Sequence, residues 1–235
     1  MMGNSQLQAI PRHTHPLAYR IFTEQLGSLH ETQALLRAAI AISIHALEDV
    51  QIENIEKQLS DIASRVRSRA RSGNRTALLA HLHEALFIEE GLAGHSHAHH
   101  LAINNYLPVA ISSKRGLPVV MSLIYLVVGQ QVGLEIQGLA PPGHFFVRVL
   151  TDEGWVIIDP FFRGELLTRD EAYSRLDQIH GRQLDRDDRY LAPIDHAQWI
   201  ERILANLTFL FAASDWKEDH AAMLELSEVL RKSRA

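Results

Sequence analysis

The period of the apolar positions changes twice along the chain, and the two changes divide it into three zones. In the first zone Leu36, Ala39, Ile40, Ile44 and Leu47 recur at helical spacing, which predicts a helix with one apolar face. Ser28-Leu29-His30-Glu31 just ahead reads as a capping box, in which hydroxyl and carboxylate satisfy the first free amides. A second helix is predicted over 52–71, with Gly73 placed to stop it. Asn74 is the expected cap of a third over 76–90, ended by Gly91. Residues 95–101 read as loop and 105–113 as a short helix.

In the second zone Pro118 suits the first turn of a helix, and 119–132 is apolar nearly all round, which predicts a buried helix stopped by Gly133. Residues 134–139 then alternate as a half-buried strand does. Two runs rich in β-branched and aromatic residues follow on either side of Thr151-Asp152-Glu153-Gly154, the pattern of a hairpin. Thr168-Arg169-Asp170-Glu171 is a further capping box. Beyond the charged connector 185–189, the third zone holds two amphipathic stretches, 196–213 and 216–231, that predict an antiparallel helix pair. The expected architecture is α+β: a helical segment over 1–75, a core over 76–188 and a helix pair over 189–235.

The hairpin carries the candidate chemistry. His144 in Pro142-Gly143-His144-Phe145-Phe146-Val147-Arg148 opens one of its strands, and Asp159 in Ile158-Asp159-Pro160-Phe161 closes the other. Folding about the turn brings both to one end, where a carboxylate orients one imidazole nitrogen and leaves the other free. Two members of a catalytic triad are present, but the 235 residues include no cysteine, so disulfides, thiolate metal sites and thiol catalysis are excluded. A buried His bonded to Asp also serves as a purely structural pair, or as part of a ligand site.

Leu78 to Phe87, Asn105-Tyr106-Leu107, Lys114-Arg115-Gly116-Leu117-Pro118-Val119-Val120-Met121-Ser122-Leu123-Ile124-Tyr125, the His144 segment and Ile158-Asp159-Pro160-Phe161 resemble, in that order, the SirB-type (invasion regulator B) family of transglutaminase-like proteins. Tyr190-Leu191-Ala192-Pro193 and Arg202-Ile203-Leu204-Ala205-Asn206-Leu207 look like its helical C-terminal extension. The resemblance implies a transglutaminase-like, papain-like core, an antiparallel sheet packed on a buried helix. In active relatives a cysteine opens that helix, where the helix N-terminus lowers its pKa. Counted back from Gly133, the matching position here is Pro118, which has neither a nucleophilic group nor an amide proton. Val120 stands where the family commonly has Ser, and Ser122 lies a full turn into the helix, where it is expected to face a buried neighbour.

Histidine is the second anomaly, 14 in all. His95, His97, His99 and His100 crowd one loop, and neutral imidazoles so spaced can close around a divalent transition metal. His81 and His83 on the preceding helix diverge too far around its axis to join together. A solvated loop is the plainer expectation, with no cofactor. Arg65, Arg67, Arg69, Arg71 and Arg75 form a basic cluster read as a solvated helix end that complements the dipole, not a nucleic-acid contact. Arg148 and Arg163 flank the His–Asp pair as candidate carboxylate binders or as solvated charges. Trp199, Trp216, Phe209 and Phe211 are expected to pack the terminal helices together.

A net charge of −5 asks for no nucleic acid or acidic membrane. No run approaches the ~18 apolar residues of a span, and Met1-Met2-Gly3-Asn4-Ser5-Gln6 lacks the basic and apolar regions of a signal peptide, so a cytoplasmic protein is expected. The expected function is non-covalent capture of a protein or peptide in the former active-site cleft, in a regulatory or scaffold role. The competing expectation is a hydrolase or acyl transferase in which His144 and Asp159 activate water or an amine directly, assisted by metal from the His loop. A third is an interaction module working through the C-terminal helix pair.

Overall fold

The computed structural model describes residues 10–70, 74–95 and 101–234. Four helices open the fold: α1 (Pro16–Gln25), α2 (Thr32–Ile44), α3 (Ile52–Arg69) and α4 (Arg75–His83), the last running on as a wider π turn over Glu84–Glu89. Strand β1 (Ala93–Gly94), helix α5 (Leu107–Ser113) and strand β2 (Arg115–Gly116) lead into α6 (Pro118–Gln131). Strands β3 (Ile136–Leu139), β4 (Phe146–Thr151), β5 (Gly154–Asp159) and β6 (Glu165–Leu167) follow, then α7 (Arg169–His180) and β7 (Pro193–Ile194). Helices α8 (His196–Ala213) and α9 (Lys217–Ser233) close the chain.

Strands β6-β5-β4-β3-β7, in that spatial order, form one antiparallel sheet, and β1 and β2 make a separate parallel pair. Helix α6 is buried from Pro118 to Gly129, as its unbroken apolar sequence requires. It packs on the sheet face that carries Val147 and Val149, both fully buried. On the other face Leu139, Phe146 and Leu167 meet Ala172, Tyr173 and Leu176 of α7. That alternation is the period-two pattern of β4 turned into two cores. A single apolar cluster runs from Ala18 in α1 through α6 to Leu230 in α9, so the terminal helices share the core of the sheet.

The local signals hold in most places. The Asn74 carboxamide accepts from the Ala77 amide at 3.0 Å, and Thr168 and Glu171 cap α7 reciprocally. Hairpin β4–β5 closes Thr151 on Gly154, and α3, α6 and α8 lie where the periodicity placed them. The box at Ser28 does not form. Helix α1, which the periodicity reading did not place, ends in a 3₁₀ turn containing Ser28, whose hydroxyl donates backward to the Gln25 carbonyl while Glu31 becomes the uncapped start of α2. Ser28 lies inside that turn, three residues short of the cap position of α2, so its hydroxyl does not meet the free amides of the helix.

Two arginines of the cluster, Arg65 and Arg69, are ion-paired, whereas Arg67 and Arg75 are exposed, as a solvated helix end would have them. Arg65 reaches Glu89 and Glu90, Arg69 reaches Glu84 and Glu89, and Arg67 donates to the Gln131 carbonyl at 2.7 Å. The turn after α4 supplies these carboxylates, so the cations tie α3 to it; Arg71 lies outside the described residues. The aromatic residues of the tail also divide. Trp199 packs on Phe145 at 4.4 Å and donates to the Val119 carbonyl, docking α8 on the core, and only Phe211 and Trp216 stack within the helix pair. A Cβ on Gly138 would lie 2.4 Å from the Trp199 ring, so the strand needs glycine there for α8 to approach. Among the described residues no helix is long and apolar enough to cross a membrane.

Candidate functional site

The register of the hairpin, Val147 opposite Ile158, sets the residues before β4 beside the end of β5. His144 lies two residues ahead of β4, in the turn before the strand and not on it. There its Nε2 stands 2.9 Å from Oδ2 of Asp159, and both side chains are buried. Phe146 and Phe161 meet the imidazole edge-on at 4.7 and 5.7 Å, which fixes the ring plane.

Asp159 is held by more than histidine. Its Oδ1 accepts from the amides of Phe161 (3.1 Å) and Phe162 (3.3 Å), capping the 3₁₀ turn Pro160–Phe162, and Oδ2 accepts from Arg175 at 3.2 Å. Four donors thus replace the water that this fully buried carboxyl group loses. Arg175, from α7, stacks on Phe162 at 3.9 Å and also pairs with Glu165. Sequence reading missed it, because no local spacing links an arginine in a capped amphipathic helix to a strand end 16 residues earlier. The cations named for this role lie elsewhere: Arg148 shares the sheet face but sits farther along the hairpin, on Gln137 and 4.4 Å from the Trp155 ring, while Arg163 sits in a left-handed turn.

Nε2 is the ring nitrogen that meets Asp159, which leaves Nδ1 as the second one. Among the described residues Nδ1 has no hydrogen-bond partner. The turn bearing it is suspended by side chains from three helices. Arg202 of α8 donates to the carbonyls of Ala140 (2.7 Å), Pro141 (3.0 Å) and His144 (3.1 Å). His180 of α7 bonds the Pro142 carbonyl at 3.0 Å, and Ser122 of α6 donates to that of Phe145. Gly143 has a φ of +72°, and a Cβ there would lie 2.8 Å from the His180 ring, so both backbone and space require glycine.

Beside the imidazole opens a cleft of about 470 Å³. One wall is the start of α6, with Leu117, Pro118 and Val119; another is the turn 142–145; the third is α8, with Arg202, Ala205, Asn206, Phe209 and Leu210. Pro118 and His144 thus line the same cavity. Among the described residues no lining side chain carries a hydroxyl, thiol or amine. Ser122 is fully buried one turn into α6, where its hydroxyl is already engaged.

The remaining histidines scatter. His81 contacts Glu84 at 3.4 Å, whereas His83 turns inward and its Nε2 bonds the buried Tyr125 hydroxyl at 2.8 Å. Burial pushes the His83 imidazole down to about 4, and pushes the Tyr125 phenol up. At neutral pH His83 is uncharged in both folded and unfolded chain; on acidification the unfolded chain takes up a proton that the folded chain refuses, so stability falls. Urea unfolding is expected to show a loss of about 2 kcal/mol from this group between about pH 7 and about pH 4.5. The variant His83→Gln should lack that share, and an equal pH slope in both proteins would show the assignment wrong. Of the four loop histidines only His95 is described, its amide bonded to the Gly116 carbonyl; His97, His99 and His100 lie outside the described residues. Among the described residues no three His, Asp or Glu side chains converge as metal ligands.

A buried helix against an antiparallel sheet, with histidine and aspartate at one end of a hairpin, defines a transglutaminase-like core. The family model of the transglutaminase-like superfamily matches residues 53–205, and the chain belongs to that superfamily. The UPF0162 protein of Xylella fastidiosa strain Temecula1 is 28% identical over 197 residues, covering 82% of this chain and 69% of that one. F-box only protein 21 of Mus musculus is 32% identical over 79 residues, 30% of this chain and 13% of its own length. The Homo sapiens protein of that name is 22% identical over 171 residues, 60% and 27% respectively. No solved structure matches the chain.

Proposed function

We propose that this is a SirB-type member of its superfamily that has given up acyl transfer and works in the cytoplasm as a regulatory or scaffold protein, holding a protein or peptide without covalent chemistry. The observation that carries this reading is Pro118: the cleft keeps its oriented imidazole, while the head of α6 offers neither a sulfur nor an amide proton. The ordered motifs from Asn105 to Phe161 support the SirB-type assignment. The F-box only proteins match this chain over a small part of their own length, which fits a domain used as a module. Helix α8 is a wall of the cleft, so binding through the tail and binding in the cleft are one surface here.

The second reading, direct general-base catalysis by His144 and Asp159, is favoured by the unpartnered Nδ1 beside the pocket. One assay separates the two. The protein and its His144→Ala variant are incubated with p-nitrophenyl acetate and with a glutamine-bearing peptide plus an amine. The binding reading expects no difference in turnover between them. Turnover lost about 100-fold or more in the variant would replace it with the general-base reading.

A further inference from the structure

Arg202 is a half-buried cation with no carboxylate beside it. Its hydrogen bonds go to neutral carbonyls, and no Asp or Glu lies within ion-pair distance among the described residues. Three carbonyls use three of the five guanidinium N–H groups, leaving Nε–H and one terminal N–H. Burial pulls its pKa down, and no neighbouring anion pulls it back. The side chain lines the cleft, and so do Leu117, Pro118 and Val119 at the head of α6. Among the described residues the only other ionisable group on the lining is His144, and no carboxylate lies there.

Asn206, one helical turn along α8, adds a second polar feature. Its amide nitrogen donates to Oδ1 of Asn105, leaving its own Oδ1 without a partner among the described residues. Behind it the buried Nδ2 of Asn105 is unsatisfied. Around these groups Leu117, Val119, Phe209 and Leu210 form apolar walls, with Phe209 largely exposed.

We infer that the cleft recognises the C-terminal carboxylate of a peptide whose last residue is apolar. The inference rests on the binding reading above and names its ligand class. The guanidinium would hold one carboxylate oxygen through a single remaining N–H, since Nε–H and the free terminal N–H lie on different edges of its plane. The Asn206 carbonyl would accept the last peptide N–H, and the apolar walls would cover the terminal side chain. A cavity of about 470 Å³ holds a chain end of a few residues.

The test is calorimetric titration with N-acetyl dipeptides ending in Leu, Phe, Val and Ala, each as the free acid and as the C-terminal amide. At least one acid should bind about 10-fold more tightly than its amide. Arg202→Gln should abolish the difference. Because that variant also releases the turn before β4, Ala205→Glu is the companion: exposed Ala205 lies on the lining, and a carboxylate there would neutralise Arg202 without disturbing buried contacts. It should weaken the acid and spare the amide. Equal affinity of acid and amide would overturn the carboxylate inference and leave the binding reading standing. No binding by any member of the set would overturn both.

Discussion

Asp159→Ala is expected to cost about 3–5 kcal/mol of folding stability, the range for breaking a buried, hydrogen-bonded ion pair by removing one partner. Four donors converge on this carboxylate, from His144, Arg175 and the amides of Phe161 and Phe162. Truncation would leave the imidazole and two amides in a site closed to water. It would also uncap the turn after β5 and leave Arg175 with only exposed Glu165. The expected observation is a drop of about 1–3 M in the urea midpoint at unchanged slope, taking a slope of about 2 kcal/mol/M. Asp159→Asn, which keeps an acceptor oxygen, should recover part of the loss. A change under about 0.5 kcal/mol for the alanine variant would mean that the pair is not closed in solution.

Pro118→Cys is expected to create a thiol of depressed pKa. The new sulfur would stand at the first position of α6, where the free amides and macrodipole favour an anion, and would face the cleft shared with the Nδ1 side of His144. Cysteine also restores the amide proton that proline lacks. Following alkylation by iodoacetamide against pH should give an apparent pKa of about 7 or lower in place of the usual ~8.5, worth about 2 kcal/mol of preference for the thiolate. Adding His144→Ala should return the value most of the way. Because thiolate nucleophilicity falls along with pKa, the profile and not the rate at one pH carries the comparison. An apparent pKa at or above about 8.5 would separate Pro118 from the imidazole and undercut the loss-of-nucleophile reading.

The two predictions depend on features of unequal legibility. The hairpin, the buried helix behind Pro118 and the convergence of His144 with Asp159 followed from period, turn residues and counting, because a two-strand register is set by contacts a few residues apart. Ser28 misled for the same reason: its Ser-x-x-Glu spacing is a local signal, but α1 runs into it from behind and turns the hydroxyl round. The arginines were legible as a cluster and illegible as partners, since the carboxylates that hold them belong to the turn after α4.

The chain by itself determined the α+β order, the absence of a thiol, the proline at the head of α6 and the pairing of one imidazole with one carboxylate. All of these are statements of composition or of short-range spacing. Tertiary structure alone decided what surrounds that pair. Arg175 reaches Asp159 across 16 residues, Arg202 holds the His144 turn across 58, and Trp199 docks α8 on Val119 across 80. Each contact depends on which face a helix presents after it has packed, and burial in the shared core sets that face, not the residues on either side. The cation in the cleft therefore became visible only when α8 was laid against the start of α6.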